Sequence, residues 1–194
     1  MDGHPLQRVP DNRLILGRQS NRAVHELLVE LAFRAEEVHV FDCAIRFNVY
    51  AIAESRNYAG SRHLKNIHIQ RAFTPYQLLD SISSLIKEPT ETIRSKIFFF
   101  LAPAKQFFDG DVKKAEREHL LQALVTKFEA MQENNFRILI SEAMKIQDPI
   151  YLSYIEKLKL NFAPIEIKNP RMELDHGKDS NTLLYTNIDD ESRT

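Results

Sequence analysis

The run IFFFLAPA, Ile97 to Ala104, restricts the fold more than any other feature of the chain. It is far too short to span a bilayer, which takes about 20 apolar residues in a helix. A strand wetted on one face alternates apolar and polar residues, whereas a strand with no alternation is covered on both faces. The chain therefore needs a sheet with a layer of helices on each side.

The rest of the chain supplies those layers in alternating order. A strand is expected at about Arg13–Leu16 and a helix from about Ser20 to Glu36, with Val24, Leu27, Leu28, Leu31 and Ala32 as its apolar stripe. EVHVFDCA reads as a second strand, and NVYAIAESRNYAG as a helix. NIHIQRAF is the third strand, before a helix opened by Thr74 as N-cap and Pro75 at its first position. SKIFFFLAP is the fourth strand, and a long helix from about Asp111 to Glu133 carries Leu121, Leu124, Val125, Phe128 and Met131 inward. NFRILIS is the fifth strand. Such alternation implies a single α/β domain built on a mainly parallel twisted sheet with helices on both faces. IYLSYIEKLKLNF reads as a loop or a short helix, and PIEIK, RMELDHG and NTLLYTNI as edge strands, antiparallel to the rest. The expected divisions are an N-terminal arm at 1–12, the domain at 13–188 and a disordered tail at 189–194.

LILGRQSNRAV, Leu14 to Val24, has the strand, turn and helix of a phosphate-binding loop without its chemistry. In G-x-x-x-x-G-K-[ST] the glycines admit phosphate, the lysine neutralises it and the hydroxyl binds magnesium. Gly17 fits the first position, but Arg22, Ala23 and Val24 occupy the last three. Arg18 and Arg22 leave two readings open: an anion held at a helix N-terminus, or side chains that fill the vacated space and reach solvent.

In this order, several segments resemble the ATPase core of RecA-like recombinases. The second strand of that family carries a D-T-E-G-T-F-R-P-like run, here DCAIRFNV; Asp42 and Phe47 match, while Ala44 takes the place of the catalytic glutamate. QRAF, Gln70 to Phe73, is similar to the family's ARAF segment, and FFDGDVKKAEREHLLQALVTKFEAM resembles the stretch after its magnesium-binding strand. The resemblance spans roughly Arg13 to Ala143. It implies a RecA-like fold and a role in DNA recombination or repair.

The departures from the family are mutually consistent. No carboxylate lies between Thr92 and Phe108, so Leu101 or Ala102 stands where the magnesium-binding aspartate belongs. ISEA replaces the polar sensor of the fifth strand, and Glu142 would set a negative charge beside a γ-phosphate. Phosphoryl transfer rests on positioning and charge neutralisation. With the lysine, hydroxyl, magnesium acid and catalytic acid all replaced, an inactive pseudo-ATPase without a cofactor is expected.

The resemblance also points to two segments that correspond to DNA-holding loops. One follows strand four and carries Lys105, Phe107, Phe108, Lys113 and Lys114; the other follows strand five and carries Lys145, Tyr151, Tyr154 and Lys157. Basic residues interleaved with aromatics suit phosphate contact plus base stacking, worth roughly 1–3 kcal/mol per base. The same aromatics equally suit covering the sheet edge or a partner.

Composition bounds the remaining choices. A formal net charge of -1 argues against bulk electrostatic coating of nucleic acid. The single cysteine, Cys43, precludes an internal disulfide and suits a reducing compartment. Met1–Arg13 lacks the apolar stretch of a secretory signal, so the cytoplasm is the expected location and no membrane is expected. His4, His25, His39, His63, His68, His119 and His176 are scattered singly, without H-x-x-x-H or H-E-x-x-H spacing, and no metal site is expected. FDCA matches the F-x-x-A hook of the family's filaments but falls within a core strand. Two readings follow: an accessory module of recombination or repair that holds single-stranded DNA or a recombinase-type protein, or a structural subunit making only protein contacts, as a homo-oligomer or with another chain.

Overall fold

Six strands form one sheet: β1 (Arg13–Leu16), β2 (Glu37–Asp42), β3 (Ile67–Arg71), β4 (Lys96–Leu101), β5 (Arg137–Glu142) and β6 (Ala163–Glu166). Their spatial order is β3-β2-β4-β5-β1-β6, and every neighbouring pair is parallel. This is a computed structural model, which describes residues 12–17, 20–34, 36–53, 64–93, 95–110, 112–142 and 147–166.

The helices are α1 (Ser20–Phe33), α2 (Val49–Ala53), α3 (Pro75–Leu85), α4 (Thr90–Ile93), α5 (Lys114–Glu133) and α6 (Pro149–Asn161). Strand alternation sends the two halves of β4 to opposite layers. Ile97, Phe99 and Leu101 join Val24, Leu27, Leu28 and Leu31 of α1 on one face. Phe98 and Phe100 join the apolar sides of α3, α5 and α6 on the other. Phe100 is fully buried, stacks on Phe41 at 4.8 Å between ring centroids and meets Phe128 edge-on at 4.8 Å. Helices thus cover both faces, as the unbroken apolar run requires.

Local signals set several boundaries. Thr74 caps α3 by accepting a hydrogen bond from the Gln77 amide at 3.2 Å, ahead of Pro75. Asp148 and Pro149 do the same for α6, with the Ile150 amide donating to Asp148 Oδ1 at 2.8 Å. IYLSYIEKLKLN is therefore a full helix rather than a loop, and the Asp-Pro pair before it is the signal for that outcome. Its register buries Tyr151, Tyr154, Ile155 and Leu158.

The antiparallel expectation for PIEIK is corrected, because Ala163–Glu166 runs parallel to β1, from Arg13 opposite Ala163 to Leu16 opposite Glu166. α6 supplies the crossover that a parallel neighbour needs and a tight hairpin does not. RMELDHG and NTLLYTNI, the arm and the tail lie outside the described residues. Among the described residues, no helix is long and apolar enough to cross a membrane.

Candidate functional site at the carboxyl edge of the sheet

In an open parallel sheet, ligands bind beyond the carboxyl ends of strands where successive connections leave on opposite faces. Here α1 follows β1 on one face and α6 follows β5 on the other. A crevice is therefore expected between the ends of β1 and β5. By the same logic a second lies between β2 and β4, whose following connections also diverge.

Gly17 follows β1 at φ 114, a conformation that glycine adopts without penalty. α1 starts at Ser20, so Arg22 and Ala23 belong to its first turn, with side chains outside the described part of the structure. Arg18 also lies outside the described residues. Val24 is fully buried against the α1-side core and has a packing role. Leu101 and Ala102 are buried too, at the end of β4.

Glu142 ends β5 opposite Leu16 and is 1% exposed. The Ala104 amide donates to its Oε1 at 3.0 Å and the Tyr154 hydroxyl at 3.1 Å, with Tyr151 adding a further hydrogen bond. Burial pushes this carboxyl up to about 7, against the pull of those donors. Among the described residues, its second oxygen is buried without a hydrogen-bond partner. At neutral pH this carboxyl is therefore only partly ionised, because desolvation disfavours the charged form. Burial, reinforced by the charge of Glu142, also pushes the Tyr154 hydroxyl well above its ordinary range.

Asp42 ends β2 and is likewise 1% exposed. Its Oδ1 accepts the Arg46 amide at 2.6 Å, closing the turn through Ala44, while Arg71 Nε stands 3.6 Å from Oδ2. Beside it, Cys43 is buried, and desolvation, then Glu142, then Asp42 raise its thiol well above the usual value. A thiol so held is a poor nucleophile.

The residues expected to touch nucleic acid divide sharply. Phe107 is fully buried, and Tyr151 and Tyr154 are nearly so, which corrects their reading as base-stacking groups. Their rings fill the layer between α5, α6 and the sheet, where apolar area is removed from water at about 25 cal/mol per Å². Phe108 is half-buried between the Arg117 guanidinium, 4.7 Å from its ring centre, and Tyr151. Lys105 pairs with Asp109 at 2.5 Å, and Lys157 donates to Gln122. Lys113 and Lys114 are exposed at the start of α5, and Lys145 lies outside the described residues. A stacking surface made of these aromatics is therefore absent among the described residues.

Several apolar residues are exposed at or near this edge. Ile45 follows β2, Val49 and Tyr50 belong to α2, Phe73 follows β3 and Tyr76 belongs to α3; all are exposed, Tyr50 by 73% and Phe73 by 66%. Sequence reasoning missed them because an apolar residue carries no mark of which side of its element faces water.

The described residues form an α/β domain on an all-parallel sheet, with Leu101, Ala102 and Glu142 buried at its carboxyl edge. No protein-family model matches the chain, and no curated protein sequence matches it.

Proposed function

We propose that the chain is a non-hydrolysing RecA-like domain that serves DNA recombination or repair as an accessory subunit, acting through contact with a recombinase-type protein. The observation that carries this reading is the burial of apolar side chains at the described part of this edge. Val24, Leu101 and Ala102 are buried apolar residues at the hydroxyl and magnesium positions, and Glu142 is enclosed by Ala104 and Tyr154. Apolar side chains at those positions cannot position or neutralise a magnesium nucleotide. The segment order and the motifs Gly17, Asp42, Phe47 and QRAF support the family reading.

Contact with a protein is favoured over unaided DNA binding on two grounds. The expected stacking rings Phe107, Tyr151 and Tyr154 are core residues, while Ile45, Tyr50 and Phe73 face solvent. Exposed apolar groups gathered at one edge suit a protein interface. Lys113 and Lys114 remain available for phosphate contact within an assembly.

The test is size-exclusion chromatography of the chain mixed with the recombinase-type ATPase of its own source, alongside an ATP-hydrolysis assay of the chain alone. Co-elution is expected, with no turnover, and Tyr50→Ser combined with Phe73→Ser should abolish co-elution while far-UV circular dichroism stays unchanged. Metal-dependent turnover by the pure chain, or separate elution of the two proteins, refutes the proposal. Anisotropy of labelled single-stranded DNA then separates a DNA-holding complex from a purely structural one: binding that weakens with salt marks the first.

A further inference from the structure

At the amino end of the same sheet, away from the crevice, Glu37, His39 and His68 converge. β2 and β3 are parallel with His39 directly opposite His68, and Glu37 lies two residues before His39 on the same face. The imidazole rings stack with centroids 4.7 Å apart and planes 18° from parallel. His39 Nε2 is 2.6 Å from Glu37 Oε1, and His68 Nε2 is 3.7 Å from the same oxygen. One potential ligand atom from each residue lies within 4.8 Å of the others.

We propose that Glu37, His39 and His68 form a binding site for a divalent transition cation of the zinc class, with the remaining coordination position open to water. Two imidazoles and a carboxylate are the donor set of three-ligand zinc sites. Zinc bonds of about 2.0–2.1 Å put neighbouring ligand atoms in a tetrahedral shell about 3.4 Å apart. The 2.6 Å and 3.7 Å contacts straddle that spacing, and the remaining pair lies within 4.8 Å, so closing the shell takes shifts of up to about 1.4 Å. Glu37 and His68 have room for such shifts, with side chains 40% and 50% exposed. His39 is the fixed member, its ring lying 5.4 Å from that of the buried Phe98.

The hydrogen bond from His39 holds the Glu37 carboxyl below its ordinary value, and burial holds His39 below the ordinary imidazole value. The ammonium of Lys96, 3.8 Å from Glu37 Oε1, opposes a bound cation. It makes the site weaker than the ligands alone would. Imidazole and carboxylate together favour zinc, cobalt, nickel or copper over magnesium and calcium, which prefer oxygen-only shells.

The experiment is calorimetric titration of the tag-free full chain with Zn²⁺, together with the visible absorption of its Co²⁺ form. Wild type should bind one equivalent, unaffected by excess Mg²⁺, and show the strong visible bands of low-coordinate cobalt. His68→Ala and Glu37→Gln each should lose at least about tenfold in affinity, the effect even of groups that merely orient a ligand, together with those bands. Both side chains are at least 40% exposed, so the far-UV spectrum should not change. Lys96→Met should bind more tightly. Absence of a one-equivalent site, or equal Zn²⁺ affinity in wild type, His68→Ala and Glu37→Gln, overturns the proposal.

Discussion

Replacing Glu142 with glutamine tests the central electrostatic claim about the crevice. The folded protein holds the Glu142 proton up to about 7, whereas the ordinary value is 4.5. The folded state therefore binds this proton more tightly than the unfolded chain. Its contribution is fully present below pH 4.5, falls as pH rises through the interval, and is gone above about 7. A gap of about 2.5 units corresponds to about 3 kcal/mol, at about 1.4 kcal/mol per unit. Glutamine is nearly the same shape, keeps an oxygen to accept from Ala104 and Tyr154, and does not ionise. Urea unfolding of wild type and Glu142→Gln at half-unit pH steps isolates the term, because every other titrating group cancels in the difference. The stability of the variant relative to wild type should climb through this window by about 3 kcal/mol and then level off. Parallel stability curves for the two proteins would refute the enclosure of this carboxyl.

Two further outcomes follow from packing and backbone geometry. Phe100→Ala removes a fully buried ring held between Phe41 and Phe128, and should cost about 3–5 kcal/mol in urea unfolding with an unchanged m-value. Ile45 is a β-branched residue at φ 53 and is 69% exposed, so little packing is lost when it is shortened. Ile45→Gly relieves about 1–2 kcal/mol of left-handed strain against about 0.5–1 kcal/mol of added chain entropy, and thermal unfolding should move upward.

Much of the scaffold was legible before the structure. The unbroken apolar run at Ile97–Leu101 required cover on both faces, and the pair Thr74-Pro75 marked the start of α3. The parallel placement of β6 was not legible, because a short apolar strand after an ambiguous segment carries no sign of its direction. It became parallel only because α6 forms, and Asp148-Pro149 is the local cue for that helix. At this edge, the positions of Gly17 and Val24 could be read from motif spacing, and that of Leu101 or Ala102 only through the family resemblance. The enclosure of Glu142 could not, since Ala104 and Tyr154 reach it from separate elements.

Sequence alone therefore determined the repeating β-α order and the two-sided burial of the central strands, since both rest on local periodicity and residue type. Tertiary structure alone decided which aromatics face inward and which titratable groups meet. Phe107, Tyr151 and Tyr154 became core residues because helix packing offered their rings more burial than solvent did. Glu37, His39 and His68 became neighbours because the β2–β3 register set His39 opposite His68, a pairing across 29 residues that neither segment encodes by itself.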